Sequence, residues 1–154
     1  MNRTTMEEYV FGSILLLANK FQIWGDKVLE ELTLKQWFLL MLISKMSIQN
    51  SSIKEIANFT GTSRQNVKKM IEHLEDKKYV NVIKSETDAR ALNISLTKKT
   101  YDYFNAYEDK GAEAVNTLFS DITNDELTYT GRTLEKLLIY LGNPPLEEAG
   151  NGQK

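Results

Sequence analysis

Cysteine is absent from the sequence, and histidine occurs once, at position 73. Without a thiol that can ionise, the chain cannot sense oxidants through a cysteine thiolate. We do not expect a zinc site at His73, because such sites need several Cys, His or carboxylate ligands around one ion. The absence of cysteine also favours a reduced setting. We therefore expect a cytoplasmic protein with no bound metal or cofactor.

Long apolar runs and glycine-rich loops are also missing. The most apolar stretch, residues 11–18, is too short to cross a membrane, so no membrane association is expected. No glycine-rich phosphate-binding loop is present, and no nucleophile stands beside an evident base. An enzyme is therefore the least favoured interpretation.

The net charge of −2 is unevenly distributed. Residues 45–100 contain 11 Lys and Arg against 6 Asp and Glu, whereas residues 101–154 contain 4 against 10. Salt screens a charge beyond about 8–10 Å, so local charge decides which surface attracts an anion. The middle of the chain is therefore the part suited to phosphate.

Two short amphipathic helices are predicted within residues 52–74, where apolar side chains recur at helical spacing. Gly61 stands between them, where a sharp turn favours a positive φ. Each helix starts with a predicted capping box, in which a hydroxyl and a Glu or Gln three residues later satisfy free N–H groups: Ser52 with Glu55, and Thr62 with Gln65. This order predicts a helix-turn-helix, whose second helix is shaped to enter the DNA major groove.

Hydrogen-bonding side chains remain on the outer face of the second helix once its apolar residues face inward. They are Ser63, Arg64, Gln65, Lys68 and Lys69. Arginine suits guanine, glutamine suits adenine, and lysine and serine suit phosphate oxygens. We expect Arg64, Gln65 and Lys68 to contact bases or nearby phosphates, and Ser63 and Lys69 to hold the backbone. The alternative is an ordinary solvated helix face.

A β-hairpin is predicted after the second helix. Strand-forming residues lie at 79–83, and Leu92, Ile94 and Leu96 alternate with polar residues. The polar loop at 84–90 contains Lys84, Asp88 and Arg90. We expect Arg90 to probe the minor groove, with Asp88 orienting its guanidinium. The alternative for this pair is a surface ion pair worth about 0–1 kcal/mol.

These features together resemble the winged helix of the MarR family of bacterial transcriptional regulators. The matching residues are Leu32-Thr33 with Gln36-Trp37 opening a helix, the segment Ser52–Leu74, and Asp88-x-Arg90 followed by Leu96-Thr97. The resemblance covers roughly residues 5–141. It implies a mainly α fold with a small β-hairpin: one domain over residues 1–145, with a winged helix-turn-helix at 33–100, dimerisation helices at 5–32 and 101–142, and a disordered tail at 146–154.

The chain departs from the family pattern in three places. Lys78 stands where the family usually has a glycine after the recognition helix, so we expect this helix to end differently. Residues 81–83 lack the arginines that the first strand often carries, and Ala89 replaces the first of two wing arginines. We expect fewer wing contacts to the DNA backbone, with more dependence on Lys84 and Arg90.

The resemblance also implies a function. We expect a homodimer that binds a pseudo-palindromic operator in double-stranded DNA and regulates transcription, as a repressor. The apolar terminal helices would then pack on a second copy; a monomer with an intramolecular helix pack is the alternative. A winged-helix module that docks proteins and does not read DNA is the alternative function.

A ligand site is a further expectation from the resemblance. A small aromatic or amphipathic ligand would bind among residues of the first two helices: Phe21, Trp24, Trp37, Phe38 and Met41. The alternative is that these five residues belong to the core.

Overall fold

The computed structural model describes residues 2–45, 52–84 and 92–143. Within these ranges, six helices and two strands follow in chain order: α1 (Arg3–Leu29), α2 (Leu34–Lys45), α3 (Ile53–Thr60), α4 (Arg64–Asp76), β1 (Val80–Lys84), β2 (Leu92–Leu96), α5 (Lys98–Leu118) and α6 (Asn124–Tyr140). The predicted fold class, mainly α with a small β-hairpin, is confirmed. The chain forms two compact units, Met1–Phe38 and Leu39–Lys154.

The first unit contains α1 and the start of α2. A Cβ atom on Gly25 would lie only 2.7 Å from the Leu34 side chain, so the absence of a side chain permits this close approach. The predicted start of α2 is confirmed by a reciprocal pair of hydrogen bonds. The Gln36 N–H donates to the Thr33 hydroxyl at 3.2 Å, and the Thr33 N–H donates to the Gln36 side chain at 3.1 Å.

The second unit has its core in and around the helix-turn-helix. Its buried apolar residues are Leu39, Leu40, Ile43, Ile56, Ala57, Val67, Ile71, Leu74, Tyr79, Val80, Ile94 and Tyr103. Burial of about twelve such side chains is the main stabilising contribution to this unit. The inward faces of both short helices agree with the helical spacing in the sequence.

The hairpin is antiparallel, and Val80 pairs with Leu96 while Lys84 pairs with Leu92. Lys84 is therefore the last residue of β1, which corrects its expected place in the loop. Its neighbours Val82 and Ile83 are strand formers, and they extend the ladder by one residue. Asp88 and Arg90 lie outside the described residues, as does the predicted tail at 146–154.

Apolar side chains are unusually exposed on the terminal helices. Every residue of α6 is described, and none is buried. Phe11 and Leu16 of α1 are 68% and 59% exposed, and Tyr140 of α6 is 88% exposed. Large exposed apolar patches are uncommon on soluble proteins that act alone.

Candidate nucleic-acid interface

The turn between α3 and α4 is built as the sequence predicts. Ser52 and Glu55 form the expected capping box at the start of α3. The hydrogen bonds from the backbone N–H and the hydroxyl of Ser52 lower the pKa of Glu55 below its usual value. Gly61 follows the last turn with a left-handed φ of 65°, and the next N–H, of Thr62, bonds to the Ala57 carbonyl at 3.2 Å.

The start of α4 corrects the sequence analysis. The N-cap is Ser63 and not Thr62, and its hydroxyl accepts the N–H of Asn66 at 3.2 Å. The Thr62 hydroxyl accepts the side-chain amide of Asn66 at 3.4 Å. Two consecutive hydroxyl residues compete for the cap, and Ser63 holds it because its backbone is extended, as an N-cap requires. The helix therefore begins one residue later than expected.

Asn66 is a residue that the sequence analysis missed. Its side chain is exposed beside those of Arg64 and Gln65 at the helix start. Asparagine can pair with the edge of adenine in the same way as glutamine. The sequence signal for Asn66 is its position three residues after Ser63, the spacing of an N-cap and the N–H that it accepts. The pair Thr62 and Gln65, one residue earlier, has the same spacing, so the sequence predicts the cap at Thr62 instead.

All the residues predicted for the outer face of α4 are exposed: Ser63, Arg64, Gln65, Lys68 and Lys69. They occupy the first turn and a half of the helix, while Val67, Ile71 and Leu74 bury the opposite side. Lys68 lies 3.7 Å from Glu72, with both side chains well exposed. Such a surface pair contributes little, so Lys68 can exchange it for a phosphate at small cost.

The end of α4 also corrects an expectation. Lys78 adopts the left-handed conformation, with φ of 63°, although it is not glycine. The N–H of Lys78 bonds to the Glu75 carbonyl and that of Tyr79 to the Leu74 carbonyl, both at 2.8 Å. This is the Schellman arrangement, which satisfies the last carbonyls of the helix. The helix therefore ends in a left-handed cap although the residue is lysine, and its hydrogen bonds offset the strain at Lys78.

A hydrogen-bonded joint ties this end of α4 to the first turn of α5. The carbonyl of Tyr79 accepts the backbone N–H of Thr97 and the hydroxyl of Thr100, and the Thr100 side chain is fully buried. The Lys99 ammonium donates to the Lys77 carbonyl at 3.0 Å and lies 4.3 Å from the centre of the Tyr79 ring. These contacts hold the C-terminal end of α4 against the first turn of α5.

The five residues predicted for a ligand are divided between the two units. Phe21, Trp24, Trp37 and Phe38 lie in the first unit and Met41 in the second, so neither unit alone contains the set. Phe21, Trp24, Trp37 and Met41 are partly buried, and Phe38 is exposed. The ligand cleft stays a prediction.

Within the described ranges, no group of three or more His, Asp or Glu side chains is placed to hold a metal ion. Over the same ranges, no helix combines the length and apolar character needed to span a bilayer.

The fold and the exposed cationic residues at the start of α4 define a winged-helix protein. Residues 32–92 match the model of the MarR family, which covers α2 through the first residue of β2. The resemblance drawn from the sequence is confirmed, and the winged helix-turn-helix segment is similar to that of the MarR family.

Two characterised proteins are similar over most of the chain. The transcriptional activatory protein BadR of Rhodopseudomonas palustris is 26% identical over 133 residues, which cover 84% of this chain and 76% of BadR. The transcriptional repressor MprA of Escherichia coli K12 is 24% identical over 143 residues, which cover 88% of this chain and 81% of MprA. Both relatives are regulators of transcription and not enzymes.

Solved structures show the same fold. The MepR–DNA complex of S. aureus has a TM-score of 0.69 and 22% identity, covering 91% of this chain and 99% of MepR. The organohalide-sensing regulator RdhR, bound to 2,4-dichlorophenol, has a TM-score of 0.75 and 16% identity, covering 91% of this chain and 85% of RdhR. These similarities extend beyond the winged helix to the terminal helices.

Proposed function

We propose that the chain is a homodimeric, cytoplasmic, sequence-specific DNA-binding protein that represses transcription from a pseudo-palindromic operator. The observation that carries the proposal is the exposed polar face at the start of α4. Within Ser63–Lys69, every exposed side chain is polar, and three of them are cationic. A module that docks proteins would favour apolar side chains at this position, so this face supports the DNA-binding alternative.

The start of α4 suits a phosphate as well as bases. The N–H groups of Arg64 and Gln65 belong to the first turn, where they precede the intrahelical ladder and the helix dipole favours an anion. Arg64 and Lys68 are four residues apart and therefore project from one side of the helix. We assign base contacts to Arg64, Gln65 and Lys68, and backbone contacts to Ser63 and Lys69.

The hairpin provides the second proposed contact. Lys84 is exposed at the end of β1, next to the wing loop. We assign to Lys84 a phosphate contact, to Arg90 a minor-groove contact, and to Asp88 the orientation of Arg90. The strand register supports the phosphate contact of Lys84, because it places this residue at the end of the hairpin ladder farthest from the joint with α5.

Dimerisation is proposed from the exposed apolar residues of α1, α5 and α6. Along α6 and at its C-cap, four exposed leucines follow spacings of seven, four and three residues: Leu127, Leu134, Leu138 and Leu141. That spacing is typical of a helix that packs along its length on another helix. A second copy is the occupant that also explains the rest of the fold, because a two-fold dimer presents two recognition helices about 34 Å apart. We expect the interface to bury more than about 2,000 Å².

Ligand control and the direction of regulation are further parts of the proposal. RdhR binds a chlorinated phenol, which supports an aromatic ligand near Phe21, Trp24, Trp37, Phe38 and Met41. Such a ligand would release the protein from DNA only by binding the DNA-incompetent dimer more tightly. We propose repression because the similar protein MprA is a repressor, whereas BadR is an activator.

Fluorescence anisotropy with duplex DNA, paired with light scattering, tests this function. We expect a mass twice the 17.7 kDa of one chain. We also expect binding that weakens steeply with salt, because phosphate contacts release counterions. A monomeric mass at micromolar concentration would exclude the dimer, and binding that is absent at every salt concentration would exclude the DNA-binding function.

A further inference from the structure

The end of α6 reaches the helix-turn-helix of its own chain. The side-chain amide of Asn143 donates a hydrogen bond to the backbone carbonyl of Phe59 at 3.2 Å, across 84 positions of sequence. Phe59 lies in the last turn of α3, two residues before the turn at Gly61. Both partners are partly buried, so water competes less for this bond than for one on the surface.

The geometry of the helix end aims Asn143 at this carbonyl. Gly142 is left-handed, with φ of 97°, and its N–H bonds to the Ile139 carbonyl at 3.0 Å. The N–H of Asn143 bonds to the Leu138 carbonyl, also at 3.0 Å. This second Schellman arrangement fixes the Asn143 backbone to the axis of α6. The side chain therefore moves with α6.

The acceptor is a group that α3 cannot satisfy by itself. The last four carbonyls of a helix have no intrahelical N–H partner. Nearby groups satisfy carbonyls earlier in α3. The Thr60 hydroxyl donates to the Ile56 carbonyl, and the Thr62 N–H donates to the Ala57 carbonyl. The Phe59 carbonyl instead receives its donor from α6. The contact thus completes the end of α3 immediately before the turn that leads to Ser63.

We propose that Asn143 is a positioning residue that couples α6 to the α3–α4 turn. No residue of α6 is buried within the described protomer, so its position depends on whatever covers its apolar face. In the proposed dimer that cover is the partner subunit. The amide of Asn143 then transmits the position of α6 to the start of the recognition helix. The inference rests on the proposed function and names a regulatory contact within it.

The substitution Asn143→Asp tests the coupling, because it keeps the size of the side chain and replaces the donor by an acceptor. The matched control is Asn124→Asp, which adds the same charge at the other end of α6. The donor-retaining variant Asn143→Gln should restore part of any loss. All three are measured as full-length proteins.

Hydrogen exchange of the free protein is the first readout. We expect the amides of Gly61 and Thr62 to exchange about 3- to 10-fold faster in Asn143→Asp than in wild type, as loss of one hydrogen bond predicts. Amides in the middle of α4 and the mass in light scattering should be unchanged. Unchanged exchange at the turn, or equal acceleration in Asn124→Asp, would overturn the proposal whether or not the protein binds DNA.

DNA binding is the second readout, measured with the duplex that wild type selects from random sequences. We expect Asn143→Asp to bind about 3- to 10-fold more weakly with the salt slope of wild type, because no phosphate contact is lost. A changed salt slope would overturn the positioning role and indicate a direct contact. Wild-type affinity in Asn143→Asp would overturn the coupling and leave the DNA-binding function intact.

Discussion

The hydroxyl of Thr97 donates a hydrogen bond to the backbone carbonyl of Lys78, with 2.7 Å between the two oxygen atoms. Thr97 is the N-cap of α5, yet its side chain makes no hydrogen bond to the start of that helix. It holds instead the residue whose left-handed backbone ends α4. The recognition helix is therefore anchored at both ends, by Ser63 at its start and by Thr97 beyond its end.

Replacement of Lys78 by glycine should stabilise the fold. Lysine pays a steric penalty in the left-handed region that glycine does not, so we expect the free energy of unfolding to rise by about 0.5–1 kcal/mol. Urea denaturation at fixed protein concentration measures the change. The control Lys77→Gly alters a residue with φ of −78°, where glycine has no advantage, and should not stabilise. Equal effects at the two positions would contradict the strain assigned to Lys78.

Two substitutions on α4 should separate reading of bases from attachment to the backbone. Arg64→Ala should cost about 1–3 kcal/mol of binding free energy on the preferred duplex and relax sequence preference. Lys69→Ala should weaken binding to all duplexes alike and reduce the salt slope by about 1. Anisotropy titrations with matched and scrambled duplexes measure both effects. The same loss for both variants on every duplex would refute the division of roles.

The exposed leucines at 127, 134, 138 and 141 form the apolar seam of α6. A charge in this seam should break the dimer. Leu134 is 40% exposed in the protomer and lies in the middle of the seam. Leu134→Glu would bury an unpaired carboxylate in the proposed interface, so light scattering should report the mass of one chain. The control Lys136→Gln makes the same change of net charge nearly opposite the seam and should leave the mass doubled. A dimeric Leu134→Glu protein would show that the interface lies elsewhere.

The capping box of α3 should contribute a pH-dependent part of the stability. Hydrogen bonds from Ser52 lower the pKa of Glu55 below its usual value of 4.5. A carboxyl group with a lower pKa in the folded state stabilises the protein above its unfolded pKa, and that stabilisation is lost as the pH falls through the folded pKa. The wild-type free energy of unfolding should therefore fall more steeply between about pH 5 and about pH 3 than that of Glu55→Gln.

Urea titrations over that pH range measure the difference. Ser52→Ala removes the hydroxyl that donates to the Glu55 carboxylate. It should therefore also make the unfolding free energy depend less steeply on pH. Parallel profiles for wild type and Glu55→Gln would show that the box does not hold the carboxylate in solution.

Local sequence patterns predicted much of the fold. The capping pair at Ser52, the glycine at 61 and the alternation at 92–96 each act within a few residues, so they are visible without tertiary contacts. The start of α4 was wrong by one residue, because Thr62 and Ser63 both offer a hydroxyl and only the backbone conformation decides between them. The end of α4 was wrong because hydrogen bonds at Lys78 and Tyr79 offset a conformation that lysine disfavours.

The rest depended on contacts between distant segments. No local pattern relates Asn143 to Phe59, since the two are brought together only by the arrangement of α6 against α3. The joint among Tyr79, Thr97 and Thr100 likewise appears only when the hairpin closes. The sequence showed which faces are apolar, but only the structure shows that no residue of α6 is buried within the described protomer.

Selection of bound duplexes from a random pool tests the central claim most directly, since that claim is that two copies of α4 read successive major grooves together. The account predicts an enriched site with two-fold symmetry and half-sites about 10 base pairs apart, centre to centre. Enrichment of a single unpaired half-site, or no enrichment over the starting pool, would contradict it.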